Sequence, residues 1–73
     1  MRIEINNNGE LTFWPKMLFE SAIAYLVDGK RGGGSCWLPK RDVIRIKTPF
    51  NAEDFRTREI TVLVKTAREV GVL

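Results

Sequence analysis

Seventy-three residues, 44% of them hydrophobic and 29% charged, describe one small folded domain with a modest core. His is absent and Cys occurs once, which excludes an internal disulfide and leaves no zinc-type ligand set. The formal net charge is +3, and the excess is uneven: Lys30, Arg31, Lys40, Arg41, Arg45 and Lys47 face only Asp42 as local opposition, which favours an anionic partner.

Without His, the usual acid–base and nucleophile-activating sets are missing, and no acidic spacing suggests Mg²⁺ coordination. The chain therefore reads as a non-enzymatic protein with no cofactor and no metal. A core this small predicts a homo-oligomer. A lone thiol, with no leader pattern and no run of about eighteen apolar residues, predicts a cytoplasmic protein and no membrane partner.

In chain order, Ile3 and Ile5 alternate with Arg2 and Glu4 and predict a strand over 1–6. Asn7-Asn8-Gly9 tolerates positive φ and marks a turn, after which Leu11-Thr12-Phe13 forms the returning arm. Pro15 breaks that arm.

Residues 17–27 are apolar on both faces. They fit either one long curved strand, which we favour, or a helix over about 15–27 that starts at Pro15 and ends at Gly29. Residues 28–35 carry Lys30, Arg31 and three consecutive glycines and predict a hairpin tip. This is no P-loop, since Lys30 precedes the glycines and a strand follows them.

Cys36-Trp37-Leu38 has β propensity, and Pro39 must end the strand, because it lacks a backbone donor. Lys40-Arg41-Asp42 then suits one tight turn. Val43–Lys47 resumes as a strand, with Ile44 and Ile46 expected on one face and Arg45 and Lys47 on the other. Further on, Asn51 suits the cap of a short helical turn, and Phe50 or Phe55 is expected to plug the core. Residues 60–65 alternate as a final strand, and Thr66-Ala67-Arg68-Glu69 has the spacing of a capping box for one closing turn. The fold class is thus mainly β: a small single-domain barrel or strongly curved antiparallel sheet with short helical turns, or α+β if 15–27 is helical.

The strand, Pro, single-turn, strand step resembles the end of Src-homology-3-type small barrels. It also resembles small proteins encoded in phages and prophages that carry a Trp-Leu-Pro-Lys-Ser-Gln-Ile step. Here Ala22 to Asp28 matches the preceding strand, Trp37-Leu38-Pro39-Lys40 the step, and Ile60 to Leu73 the end. Arg41-Asp42-Val43 stands in place of Ser-Gln-Ile, the glycine-rich tip is longer, and a terminal Trp is lacking. The resemblance implies a mobile-element context and no particular chemistry.

Two functions follow as expectations. In the first, a basic face of Lys30, Arg31, Lys40, Arg41, Arg45 and Lys47 meets nucleic-acid phosphates while Trp37, Trp14 or Tyr25 stacks on bases; a core position is the ordinary expectation for Tyr25 and Trp37. In the second, implied by the resemblance, an oligomeric effector inhibits a host defence or replication protein or sequesters a nucleotide. Cys36 reads as a core thiol and not a nucleophile.

Overall fold

A computed structural model of the chain describes residues 2–73. Seven strands, β1 (Ile3–Ile5), β2 (Glu10–Phe13), β3 (Met17–Glu20), β4 (Ala24–Val27), β5 (Cys36–Pro39), β6 (Val43–Lys47) and β7 (Glu59–Leu63), precede one helix, α1 (Val64–Val70). They form two antiparallel sheets, one ordered β1-β2-β7-β6 and the other β3-β4-β5. The fold is mainly β, as the alternation predicts, but the strands do not close into one barrel. The core lies between the sheets: Leu11, Phe13, Ile60 and Val62 from the first meet Val27, Cys36 and Leu38 from the second.

The first hairpin forms as the sequence suggests. Asn6 Oδ1 accepts the N–H groups of Asn8 (2.9 Å) and Glu10 (3.0 Å), and Gly9 supplies the positive φ of 72° that the turn needs. Residues 17–27 are neither the single strand nor the helix. They form a hairpin, because Ser21 Oγ accepts the N–H groups of Ile23 (3.3 Å) and Ala24 (3.0 Å) while the Ser21 N–H donates to the Ala24 carbonyl (2.9 Å). This local closure offers the backbone bonds that a continuous strand would need from a neighbour.

Pro39 ends β5, and Lys40–Asp42 makes a single 3₁₀ turn into β6, as expected. The pairing of β6 with β7 slips between Val43 and Arg45, so Ile44 is an unpaired extra residue. Ile44 is consequently exposed, and Val43 joins Ile46 in packing against the core, where simple alternation places Ile44.

The segment 48–58 has no helical turn behind Asn51. Asp54 Oδ1 instead accepts the Arg56 N–H (2.8 Å). Phe50 and Phe55 do not plug the core; they are 98% and 85% exposed. The segment is held by backbone bonds from Met17 N–H to the Arg56 carbonyl (2.8 Å) and from Arg58 N–H to the Pro15 carbonyl (2.9 Å), which tie it to the link between the two sheets.

Helix α1 begins directly after β7, so Thr66 lies inside it and caps nothing, contrary to the capping-box spacing. The helix packs on β2, β5 and β7 and buries Thr66 and Ala67. Gly71, at φ 94°, ends it in a left-handed turn whose N–H returns to the Ala67 carbonyl. Val72 then enters the core, which gives the apolar tail its packing site.

Candidate nucleic-acid interface

The three strands β3, β4 and β5 present one face to the core and one to solvent. In register, Met17, Val27 and Cys36 share the inner face, as do Tyr25 and Leu38. The alternate row, Phe19, Leu26 and Trp37, faces outward.

Contrary to the core position expected of it, Trp37 faces outward, because Cys36 and Leu38 on either side of it enter the core. It is 48% exposed and Phe19 is 58% exposed. Strands two apart in a sheet are separated by roughly 10 Å, whereas the two ring centroids lie 6.2 Å apart at an interplanar angle of 82°. The rings lean together above Leu26 and form an aromatic corner, one face-on surface beside one edge. A slip in the β3–β4 pairing at Leu18 turns Phe19 to this side.

At one end of this face, Ala24 and Pro39 pair in register, and a shallow groove lined by Ala22, Ile23, Ala24, Pro39, Lys40 and Arg41 continues from them. Lys40 is firmly placed. Its N–H donates to the Ile23 carbonyl (2.8 Å), and its ammonium donates to Glu20 Oε2 (2.6 Å) and sits 5.1 Å from the centre of the Tyr25 ring. Tyr25 packs on the core, as expected of it. Arg41 is exposed and, among the described residues, meets no carboxylate within 4.0 Å.

The seven residues singled out in the sequence fall into three groups. Trp37, Lys40 and Arg41 lie toward the same end of β3–β5: Trp37 on the outer face, Arg41 in the groove beyond Ala24 and Pro39, and the Lys40 ammonium at the edge over Glu20 and Tyr25, the row that alternates with Trp37. Lys30 and Arg31 lie in the loop beyond the opposite end of β4, where the Arg31 N–H donates to the Gly71 carbonyl (2.7 Å). Arg45 and Lys47 lie on the outer face of the other sheet. There Arg45 Nη2 donates to Thr61 Oγ1 (3.4 Å), the Thr12 and Thr61 hydroxyls share a hydrogen bond (2.8 Å), and Lys47 pairs with Glu59 (3.1 Å). No single basic face unites all six cations.

Phe19 and Ile23 belong to the first group and were not singled out. The strict alternation of a single strand over 17–27 places both with Tyr25 and Val27, facing the core, and only the slip at Leu18 and the Ser21 turn reverse this. Trp37 had a signal: it is flanked by two apolar residues at the spacing of an inward-facing pair.

Cys36 is buried, and burial pushes its thiol up, with Lys30 lowering it in part and Asp28 raising it further. The thiolate is the reactive form, so this is an unreactive core group. Asp54 is held down to about 2, chiefly by its side-chain hydrogen bonds from Arg56 (3.2 and 3.1 Å) and then by the Arg56 backbone N–H.

Among the described residues, no three His, Cys, Asp or Glu side chains gather to hold a metal ion, and no helix is long and apolar enough to cross a membrane. The fold is thus a small two-sheet β protein with an exposed aromatic corner on one sheet and cations at its end. No protein-family model, no curated protein and no solved structure matches the chain.

Proposed function

We propose that this is a non-enzymatic binding protein that holds single-stranded nucleic acid against the outer face of β3–β5. The observation that carries it is the pair of exposed rings, Phe19 and Trp37, on a sheet face whose end leads into the groove lined by Ala24, Pro39 and Arg41. Unpaired bases expose π-faces that duplex bases hide in their stack, so an aromatic corner of this kind selects single strands. Arg41, free of acidic partners among the described residues, supplies the phosphate contact, and Lys40 adds charge already shared with Glu20. Lys30 and Arg31, beyond the other end of the same strands, offer further contacts. The resemblance of the Trp37-Leu38-Pro39-Lys40 step agrees with an accessory role on a mobile element.

Fluorescence anisotropy of a labelled oligonucleotide tests this. Base–aromatic stacking contributes about 1–3 kcal/mol per base, so Trp37→Ala weakens binding by roughly 5- to 150-fold, and Trp37→Phe restores part of it. Arg45→Glu with Lys47→Glu, on the far sheet, changes it far less than Arg41→Glu. Equal affinities for wild type, Trp37→Ala and Arg41→Glu sink the proposal.

The second reading, an effector that docks on a protein, is favoured by one observation: Phe50 and Phe55 stand almost wholly in solvent on the same loop. Exposed aromatic anchors of this kind dominate protein interfaces. Phe50→Ala with Phe55→Ala leaves strand binding unchanged and abolishes capture of such a partner.

A further inference from the structure

Between the link joining the sheets and the glycine loop lies an open cleft of about 720 Å³, lined in part by Ile3, Trp14, Pro15, Lys16, Lys30 and Arg31. It is distinct from the aromatic corner: none of Phe19, Leu26 or Trp37 reaches it. Its size falls within the range of small-molecule sites, roughly 300–1,000 Å³. Its lining divides by chemistry into an apolar part, from the half-buried Ile3, Trp14 and Leu73 with Pro15 and Val72 buried behind them, and a cationic part, from Lys16, Lys30 and Arg31.

The cationic part is constructed, not incidental. Asp28 is the one acidic side chain in the lining, and its Oδ1 is occupied by the Lys16 backbone N–H (2.7 Å). The loop is pinned to the end of α1 by the Arg31 N–H bond to the Gly71 carbonyl (2.7 Å), and it closes on itself through the Gly33 N–H to the Lys30 carbonyl (3.1 Å). The Lys30 stem passes close to Gly71, where an added Cβ would stand 3.3 Å from two of its carbons. Gly71 thus serves both the left-handed turn and the path of Lys30.

Gly32 and Gly33, at φ 83° and 100°, leave the rim bare: nothing lies within 4 Å of where their Cβ atoms would be. A ligand can approach that backbone directly. Lys30 and Arg31 have no carboxylate within 4.0 Å among the described residues, and Lys16 reaches Asp54 only at 3.7 Å. Lys30 and Arg31 with no ion pair among the described residues, Lys16 shared with Asp54, and the half-buried apolar residues Ile3, Trp14 and Leu73 in one cleft match an anion that carries an apolar body.

We infer that this cleft binds an organic phosphate of the nucleoside monophosphate class, with the phosphate on Lys16, Lys30 and Arg31 and the base and sugar against the half-buried Ile3, Trp14 and Leu73. The site does not require the strand-binding role of β3–β5, with which it shares only the charges of Lys30 and Arg31.

Isothermal titration calorimetry with AMP tests it, with inorganic phosphate and adenosine as separate arms. AMP binds, and each of the other two binds at least tenfold more weakly. Lys16→Ala and Arg31→Ala, confirmed as folded by their thermal transitions, each weaken AMP by about tenfold, while Trp37→Ala leaves it unchanged. No heat from AMP at millimolar concentration overturns the inference, and so does undiminished binding in the Lys16→Ala, Arg31→Ala double variant. Phosphate binding as tightly as AMP overturns the apolar half of the site, and AMP binding lost in Trp37→Ala moves the ligand to the aromatic corner.

Discussion

Gly29 is the position where one added methyl group reports most directly on how the sheets are packed. Its φ is not in the left-handed region, so the backbone itself accepts alanine. The space does not: a Cβ there would lie 2.5 Å from Phe13 Cε2, 3.0 Å from Phe13 Cδ2 and 3.3 Å from Pro15 Cβ. Carbon atoms in contact prefer about 3.5–4.0 Å, so the Phe13 ring must retreat by about 1 Å. Phe13 is fully buried and paired in register with Ile3 on β1 and Ile60 on β7, so its ring moves only by displacing core neighbours.

Overpacking of this kind costs about 1–3 kcal/mol, and the reduced freedom of the unfolded chain returns about 0.4–1 kcal/mol. Gly29→Ala is therefore expected to destabilise the domain by about 1–2 kcal/mol, which lowers Tm by roughly 5–15 °C for a domain of this length. Thermal and urea unfolding followed by circular dichroism measures it. Adding Phe13→Leu removes the ring edge that the methyl meets, so the double variant loses less than the sum of the single losses. Gly29→Ala as stable as wild type, or strictly additive losses in the double variant, refutes this account of the packing.

Two further outcomes concern charge. With two to four phosphate contacts from Arg41, Lys40, Arg31 and Lys30, and a slope of about −0.7 per contact for single strands, strand affinity falls roughly 7- to 50-fold between 50 and 200 mM salt; anisotropy at four salt concentrations gives the slope, and a flat line contradicts phosphate contact. Asp54 titrates near 2 instead of its ordinary 3.8. Because the folded value is the lower one, the Asp54–Arg56 contact contributes to stability above about 3.8 and that contribution is lost as pH falls toward about 2. Arg56→Ala should return the Asp54 midpoint toward 3.8, read by NMR titration of the carboxyl carbon; a midpoint that stays near 2 shows that another group holds it.

Where the sequence carried its own punctuation, the fold was legible. Pro39 ended β5, Asn6 to Gly9 turned the first hairpin, and the buried pair Cys36 and Leu38 marked the strand from which Trp37 emerges. What escaped was register. One extra residue reverses every side chain after it; the slip at Leu18 lies within an apolar run, and the slip at Ile44 falls beside Val43, so that either of two adjacent apolar residues fits the inward position.

The Ser21 turn was hidden in the same way, because a serine between apolar segments reads as an outward strand position until its hydroxyl is seen to accept two N–H groups. These features place Phe19 beside Trp37, which was itself expected in the core, so neither half of the aromatic corner was read from periodicity. The basic cluster was legible as composition but not as a surface. Residues close in sequence at 40–47 are carried to opposite sides of the molecule when the 3₁₀ turn moves the chain from one sheet to the other.

The most direct test of the proposed binding face is a ¹⁵N–¹H NMR titration of the protein with a short oligodeoxythymidylate. Binding to β3–β5 shifts the Trp37 indole N–H and the amides of 17–20, 24–27 and 36–41, and leaves 43–47 and 59–63 in place. Shifts confined to the latter strands, or none at all at low salt, contradict it.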